Sequence, residues 1–340
     1  MAGKAGSLRA YVVTRIILML PMILILLTFV FWLMRLAPGD PVGAILGERN
    51  VIYGDAIRRQ LGLYDPVPIQ YGRYLYRVFT GDMGTSIYTQ RSVASDVAQR
   101  LPATLELTLS AMVVAILVGV GLGVLSATRR DKAPDVLSRL LAAVLYNTPV
   151  FWLGIMMQLV FAVGLGWFDV GGRLDAHTSI PPRVTGLYTV DAILAGQPFT
   201  FFDAIAHLIL PAVTLGLVLS GFFARMVRAN MLQTLQSDYV EAAKARGVTR
   251  FGVFYRHALK NAMVPVSTTI GLTFAALFSG AILTETVFSW EGMGRYIYYA
   301  ISQRDYPALQ GAVVYYAIIM VVISLLIDIF NAWLDPRIRY

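Results

Sequence analysis

Asp238-Tyr239-Val240-Glu241-Ala242-Ala243-Lys244-Ala245-Arg246-Gly247 is the stretch on which the reading of this chain turns. It is polar and positive within a mostly apolar sequence, and its pattern predicts a short helix closed by a glycine. Asp238 stands where a cap residue belongs and Glu241 follows three positions on, the spacing of a capping box with aspartate in the cap role. Ala242, Ala243 and Ala245 are strong helix formers with little side chain, so another surface can approach closely. Gly247 supplies the left-handed residue that ends such a helix. A second helical run, over about 251–262, leads to Pro265, where a new hydrophobic span is expected to begin.

Working outward, the surroundings of this stretch are those of a membrane protein. Hydrophobic residues make up 57% of the 340 and charged residues 14%, and the mean hydropathy is +0.65, values far outside a soluble domain. Apolar runs lie at about 16–34, 104–128, 140–161, 206–223, 266–288 and 311–333, each suited to a hydrocarbon core of about 30 Å. This predicts an all-α membrane protein with six transmembrane helices and both ends on one side. The first run is too long for a signal peptide and no small-x-small cleavage site follows it, so it reads as an uncleaved span.

Charge in the connections sets the orientation. Arg129, Arg130, Lys132 and Arg139 outnumber Asp131 and Asp135 between the second and third runs. Arg225, Arg228, Lys244, Arg246, Arg250, Arg256 and Lys260 outnumber Asp238 and Glu241 between the fourth and fifth. Asp169, Asp175, Asp191 and Asp203 outnumber Arg173 and Arg183 between the third and fourth. Both termini and the Glu241 loop are therefore expected on the cytoplasmic side of the membrane. The net charge of +8 is accounted for by this asymmetry, so nucleic acid is not an expected partner and membrane lipid is. The organisation reads as residues 1–35 forming the cytoplasmic N-terminus and first span, 36–103 a small external subdomain punctuated by Gly62, Gly81 and Gly84, and 104–340 a core of five spans with a cytoplasmic loop at 225–265.

Enzyme signatures are missing. There is no cysteine, and His177, His207 and His257 are isolated from one another in sequence, so no metal-site framework is visible. No Gly-x-x-x-x-Gly-Lys-Ser/Thr phosphate loop, His-Glu-x-x-His or Gly-x-Ser-x-Gly occurs, so any ATP and Mg would be held elsewhere and no cofactor is expected in this chain.

Within the runs, Gly119 and Gly123 form a small-xxx-small pair that permits close helix approach in lipid. Asn147, Thr148 and Pro149 predict a bend facing the protein interior, because proline frees a backbone carbonyl that neighbouring polar groups must satisfy. These three residues, with Gln158 further along, are candidates for lining a pathway. Glu106 and Glu285, near the external ends of their runs, read either as interfacial groups or as gating groups, since ionisable side chains are costly in lipid. Arg225 and Arg228 read as headgroup anchors, and the aromatic, glycine-rich 288–299 stretch as an external belt or docking face.

Glu241-Ala242-Ala243, three residues, then Gly247 resembles the cytoplasmic coupling loop of the membrane subunits of ATP-binding-cassette (ABC) importers. The sequel His257-Ala258-Leu259-Lys260-Asn261-Ala262-Met263-Val264-Pro265 departs from the general pattern and is similar to the variant of dipeptide, oligopeptide and nickel permeases. Ala37-Pro38-Gly39-Asp40-Pro41, Gly81-Asp82-Met83-Gly84-Thr85-Ser86, Leu101–Leu107, Ala281–Trp290, Gln303–Pro307 and Asp335–Arg339 resemble the same family. The likeness implies the type I importer permease fold, with Asp238, Glu241, Ala242, Ala243, Gly247, His257 and Asn261 coupling to an ATPase. It also implies alternating access for di- or oligopeptides, although nickel complexes and glutathione are handled by similar permeases. The partners it implies are a homologous second permease, two cytoplasmic P-loop ATPase subunits carrying ATP and Mg, and an external substrate-binding protein. A self-sufficient channel or ion-coupled carrier is the alternative, and it would call for midspan charges or an inverted repeat of broken helices.

Overall fold

The computed structural model describes residues 8–36, 54–55, 58–59 and 62–334. The Ala37–Pro41 and Asp335–Arg339 motifs, and much of the first part of the 36–103 segment, lie outside the described residues. Among the described residues the structure is helical, apart from an isolated bridge between Thr85 and Ser92. The chain divides into two compact units.

The first unit holds α1 (Leu8–Leu36), α2 (Val67–Thr80), the beginning of α3 (Val93–Thr128), α11 (Met293–Ser302) and the greater part of α12 (Tyr306–Leu334). Phe31 of α1 is fully buried and packs edge-on against Tyr71 of α2 at 5.0 Å. Arg35 lies over the Phe31 ring at 3.5 Å and donates to Gln70 Oε1 at 2.7 Å, so α2 is fastened to the end of α1. Val93, Val97, Met293, Tyr296, Ala308 and Ala312 form the core. The Gln303–Pro307 motif now has a structural reason. Asp305, 1% exposed, caps α12 by accepting from the Ala308 N–H at 3.0 Å, and its other oxygen accepts from Ser86 Oγ at 2.6 Å.

The second unit is built on α7 (Pro198–Leu235), a 38-residue helix against which α4 (Ala133–Asn147), α5 (Val150–Met157), α6 (Tyr188–Leu194) and α9 (Lys260–Gly280) pack. The remainder of α3 lies along it too. A Cβ on Gly119 would meet the Ser220 carbonyl at 2.9 Å, and one on Gly123 the Ala224 carbonyl at 2.8 Å, so the small-xxx-small pair is where two backbones touch. Gly123→Leu is expected to force α3 off α7, since overpacking a filled contact costs about 1–3 kcal/mol or more. Gly121→Leu, where a Cβ meets nothing within 4 Å, serves as the control. Gel filtration in detergent should show aggregation for the first variant and a wild-type profile for the second.

Three helices among the described residues are long and apolar enough to span a membrane: α3, α7 and Tyr306–Ile327 of α12. The count rises to four if α4 and the continuous stretch Val150–Gly164, bent by 101° at their junction, are taken together as one broken span. The other two expected runs differ from this pattern. In α1 the apolar window is Leu20–Leu33, and the run at 266–288 is divided at Ala281 into α9 and α10 (Ile282–Val287). Pro265 does not open a new helix as expected. A π-helical turn (Gly252–Leu259) runs straight into α9 with Pro265 inside it. Both Pro265 and Asn261, whose carbonyl loses its partner, are exposed, which is where one missing helix bond costs least.

Candidate functional site

The polar stretch that opened the sequence reading is α8 (Asp238–Ala245). The structure moves its cap by one residue. Ser237 has the extended backbone of an N-cap and its carbonyl accepts from Val240 and Glu241, while Asp238 is already in the first turn. The expected capping box between Asp238 and Glu241 is therefore not formed; serine and aspartate are near-equal caps, and the sequence offers both side by side. Asp238 and Glu241 instead place two carboxylates in the first turn, where the helix dipole favours them.

The far end closes as expected. The Val248 N–H donates to Ala243 O at 3.2 Å and the Gly247 N–H to Lys244 O at 3.0 Å, a Schellman motif with Gly247 at φ +79°. Val240 and Ala243 are fully buried, whereas Asp238, Glu241, Ala242, Lys244, Ala245 and Arg246 are exposed. Ala243 thus packs inward on its own chain and is not part of the small-faced outer surface expected of it; Ala242 and Ala245 are. Asn261 Nδ2 donates to Tyr239 Oη at 2.9 Å and to His257 O at 3.1 Å, so α8 is pinned to the helix that follows it. Tyr239 was not singled out by the sequence, because nothing local marks a contact 22 residues away. Beside α8 lies a hollow lined by Arg129, Lys132, Lys244 and Arg250 together with Phe251 and Tyr255.

The sequence reading missed an ion pair within the second unit, its carboxylate fully buried and its arginine 22% exposed. Asp135, with no exposed surface, accepts from Arg228 Nε and Nη2, each at 2.9 Å, from Ser126 Oγ at 2.5 Å and from the Asp131 N–H at 3.0 Å. This joins α3, α4 and α7. Arg228 is therefore not a headgroup anchor, and Arg225 lies over the Tyr146 ring at 4.1 Å.

The pathway candidates fall in three places. Thr148 and Pro149 both adopt extended backbone, as the residue before a proline tends to, and this turns the helix. The bend does not face the interior of this chain: Asn147 and Pro149 are exposed. Leu145 O, which Pro149 leaves without its usual donor, accepts from the Thr148 N–H at 3.4 Å, and the side chains turn back on their own helix, Asn147 Nδ2 donating to Ala143 O and Thr148 Oγ1 to Val144 O, each at 2.7 Å. Gln158 Nε2 donates to Val170 O at 2.6 Å and Val287 O at 3.0 Å, tying a loop and α10 to the π-helical stretch (Gln158–Gly164) that continues α5. Glu285 is fully buried within the chain and accepts from Thr104 Oγ1 at 2.5 Å. Glu106 is also buried, 2.6 Å from Arg173 Nη2 and accepting from the Thr189 N–H and Oγ1.

The connection between α5 and α7 is held by a further buried carboxylate, that of Asp191. Burial alone would raise the Asp191 carboxyl. Hydrogen bonds from Thr185 N–H and Oγ1, Gly186 N–H and Val184 N–H outweigh that and hold it below its ordinary value. A depressed folded pKa means stability that is present above the unfolded value, about 3.9, and is lost as pH falls through the lower folded value. Proteolysis within 184–187 should therefore increase as the pH is lowered from about 5 to about 3, and Asp191→Ala should already show the increase at neutral pH.

This geometry meets a family. Residues 119–340 match the model of the binding-protein-dependent transport system inner membrane component, and residues 8–108 match the N-terminal model of such membrane components. The chain belongs to this family. As a member it is a multi-pass inner-membrane transport subunit, not an enzyme, and it works with ATPase and substrate-binding partners. It is 42% identical over 332 residues to the dipeptide transport system permease protein DppB of Alkalihalophilus pseudofirmus, covering 97% of this chain and 99% of that protein. It is 42% identical to the probable D,D-dipeptide transport system permease protein DdpB of Escherichia coli, covering 91% of each. The glutathione transport system permease protein GsiC of Salmonella paratyphi A is 36% identical, with 97% and 99% covered. The fold of the family member is shared with a chain of the inward-facing MetNI methionine ABC transporter, at a TM-score of 0.51 and 18% identity, covering 68% of this chain and 93% of that one.

Proposed function

We propose that this family member is the permease subunit of an ATP-driven ABC importer of dipeptides and short oligopeptides. It forms half of a translocation pathway with a homologous second permease. Six spans, namely α1, α3, the bent pair α4–α5, α7, α9–α10 and α12, place both termini and α8 in the cytoplasm. Two P-loop ATPase subunits, carrying ATP and Mg, receive α8, and an external binding protein delivers the peptide. Substrate class rests on the dipeptide relatives, which cover nearly the whole chain.

The observation that carries the coupling role is the construction of α8, with one face buried on its own chain and an exposed face of Glu241, Ala242 and Ala245. The basic hollow beside it suits an acidic partner surface. Magnitude requires the whole helix to act. Switching a two-state transporter from 1:99 to 99:1 takes about 5.5 kcal/mol of differential binding, whereas one exposed ion pair contributes about 0–1 kcal/mol. Reconstitution with the neighbouring permease, ATPases and binding protein tests the reading. Dipeptide should accumulate in vesicles only with ATP and only with the binding protein. Uptake by this chain alone, without ATP, would return the carrier or channel alternative.

A further inference from the structure

The sequence showed three isolated histidines and no metal framework, yet the second unit brings His207 of α7 together with Asp203, one turn earlier on the same helix, and Asp169 from the segment after α5. The His207 side chain is 2% exposed and has a carboxylate at each ring nitrogen: Asp203 Oδ1 lies 3.1 Å from Nδ1 and Asp169 Oδ2 lies 3.4 Å from Nε2. Nδ1 also faces the Asp203 carbonyl at 3.0 Å. Asp203 thus offers two acceptors to Nδ1 from the same helix, while Nε2 of the buried ring faces the Asp169 carboxylate, and the ligand atoms of the three residues lie within 4.8 Å of one another.

We propose that this is a binding site for a divalent transition-metal ion of the zinc type, held by His207 Nε2 and Asp169, with Asp203 as a positioning residue. Two ligands at zinc distances of about 2.0–2.1 Å, set at a tetrahedral angle, are about 3.4 Å apart, which is the spacing of Nε2 and Asp169 Oδ2. A ligating histidine ordinarily donates its other N–H to a carboxylate or a backbone carbonyl, which fixes its tautomer, and Asp203 offers both. Asp203 is itself held, its Oδ2 accepting from the Asp175 N–H at 3.0 Å. Asp169 is 56% exposed on its side chain, so the ion reaches the site from solvent and water completes its coordination. In the proposed topology the site is on the external face, where a bound ion would clamp the segment after α5 to α7.

The test uses the metal-stripped full-length chain in detergent, carrying no histidine tag, with Zn²⁺ alone as the probe. One zinc per chain is expected by equilibrium dialysis and elemental analysis, with an X-ray absorption spectrum of one imidazole nitrogen and oxygen neighbours. Asp169→Asn and His207→Gln should lose the bound zinc, Asp203→Asn should weaken it by about 10–100-fold, and His177→Gln should leave it unchanged. Should His207→Gln fail to fold, Asp169→Asn decides alone, since it alters an exposed carboxylate. Absence of stoichiometric zinc from the wild type, or equal zinc in Asp169→Asn, would overturn the proposal.

Discussion

Gly247→Val is expected to uncouple ATP hydrolysis from transport, lowering dipeptide moved per ATP by about 5- to 150-fold while the assembled complex still hydrolyses ATP. Gly247 sits at φ +79°, where a β-branched residue is strongly disfavoured, and a Cβ there would meet nothing within 4 Å. The effect is therefore one of backbone conformation alone, about 1–3 kcal/mol, which as a coupling energy is that 5- to 150-fold range. The residue that gives way is the one closing the Schellman turn, so α8 loses its fixed angle to the π-helical turn behind it. Glu241→Gln removes one exposed charge, about 0–1 kcal/mol, and should lower coupling far less. Reconstituted vesicles assayed in parallel for phosphate release and peptide uptake would decide the order; equal losses in the two variants would contradict it.

Asp135→Ala is expected to destabilise the second unit by about 3 kcal/mol, because it leaves Arg228, whose side chain is only 22% exposed, without its buried partner. The same loss strips Ser126 Oγ and the Asp131 N–H of their acceptor, so the α3–α4 turn and α7 come apart together. Removing both charges is a different experiment. Asp135→Leu with Arg228→Met replaces the pair by apolar groups of similar size, which is often neutral or stabilising. The double variant should therefore recover most of the thermal stability lost in Asp135→Ala. Strictly additive losses would mean that the two residues act independently, against the geometry.

These two sites differ in how much of them could be read from sequence. Gly247 was legible because its chemistry is local: a glycine after an alanine-rich turn has few roles other than a left-handed cap. The Asp135–Arg228 pair was not, since the partners lie 93 positions apart and each sat in a basic connection whose charges topology already explained. The same distinction holds elsewhere. The bend at Pro149 followed from the proline itself, but the side it faces depends on α7, and Asn147 and Thr148 turned out to satisfy their own helix. Gly119 and Gly123 gave the close approach without naming Phe223 and Val227 as the residues approached. Ala243 could not be told apart from Ala242 and Ala245, because a run of alanines has no amphipathic pattern to orient it. His207 was dismissed for want of a nearby histidine, although Asp203 stood one turn away and Asp169 completed the group only in three dimensions.

The most direct measurement of the central claim uses the absence of native cysteine. A single cysteine is placed at Ala242, exposed on α8, or at Ala243, fully buried beside it, and each is treated with an impermeant maleimide in inside-out vesicles with and without the ATPase subunits. The account predicts rapid labelling at position 242 that is blocked when the ATPases are bound, and little labelling at position 243 in either case. Labelling at 242 from the opposite membrane face, or undiminished labelling with the ATPases bound, would contradict it.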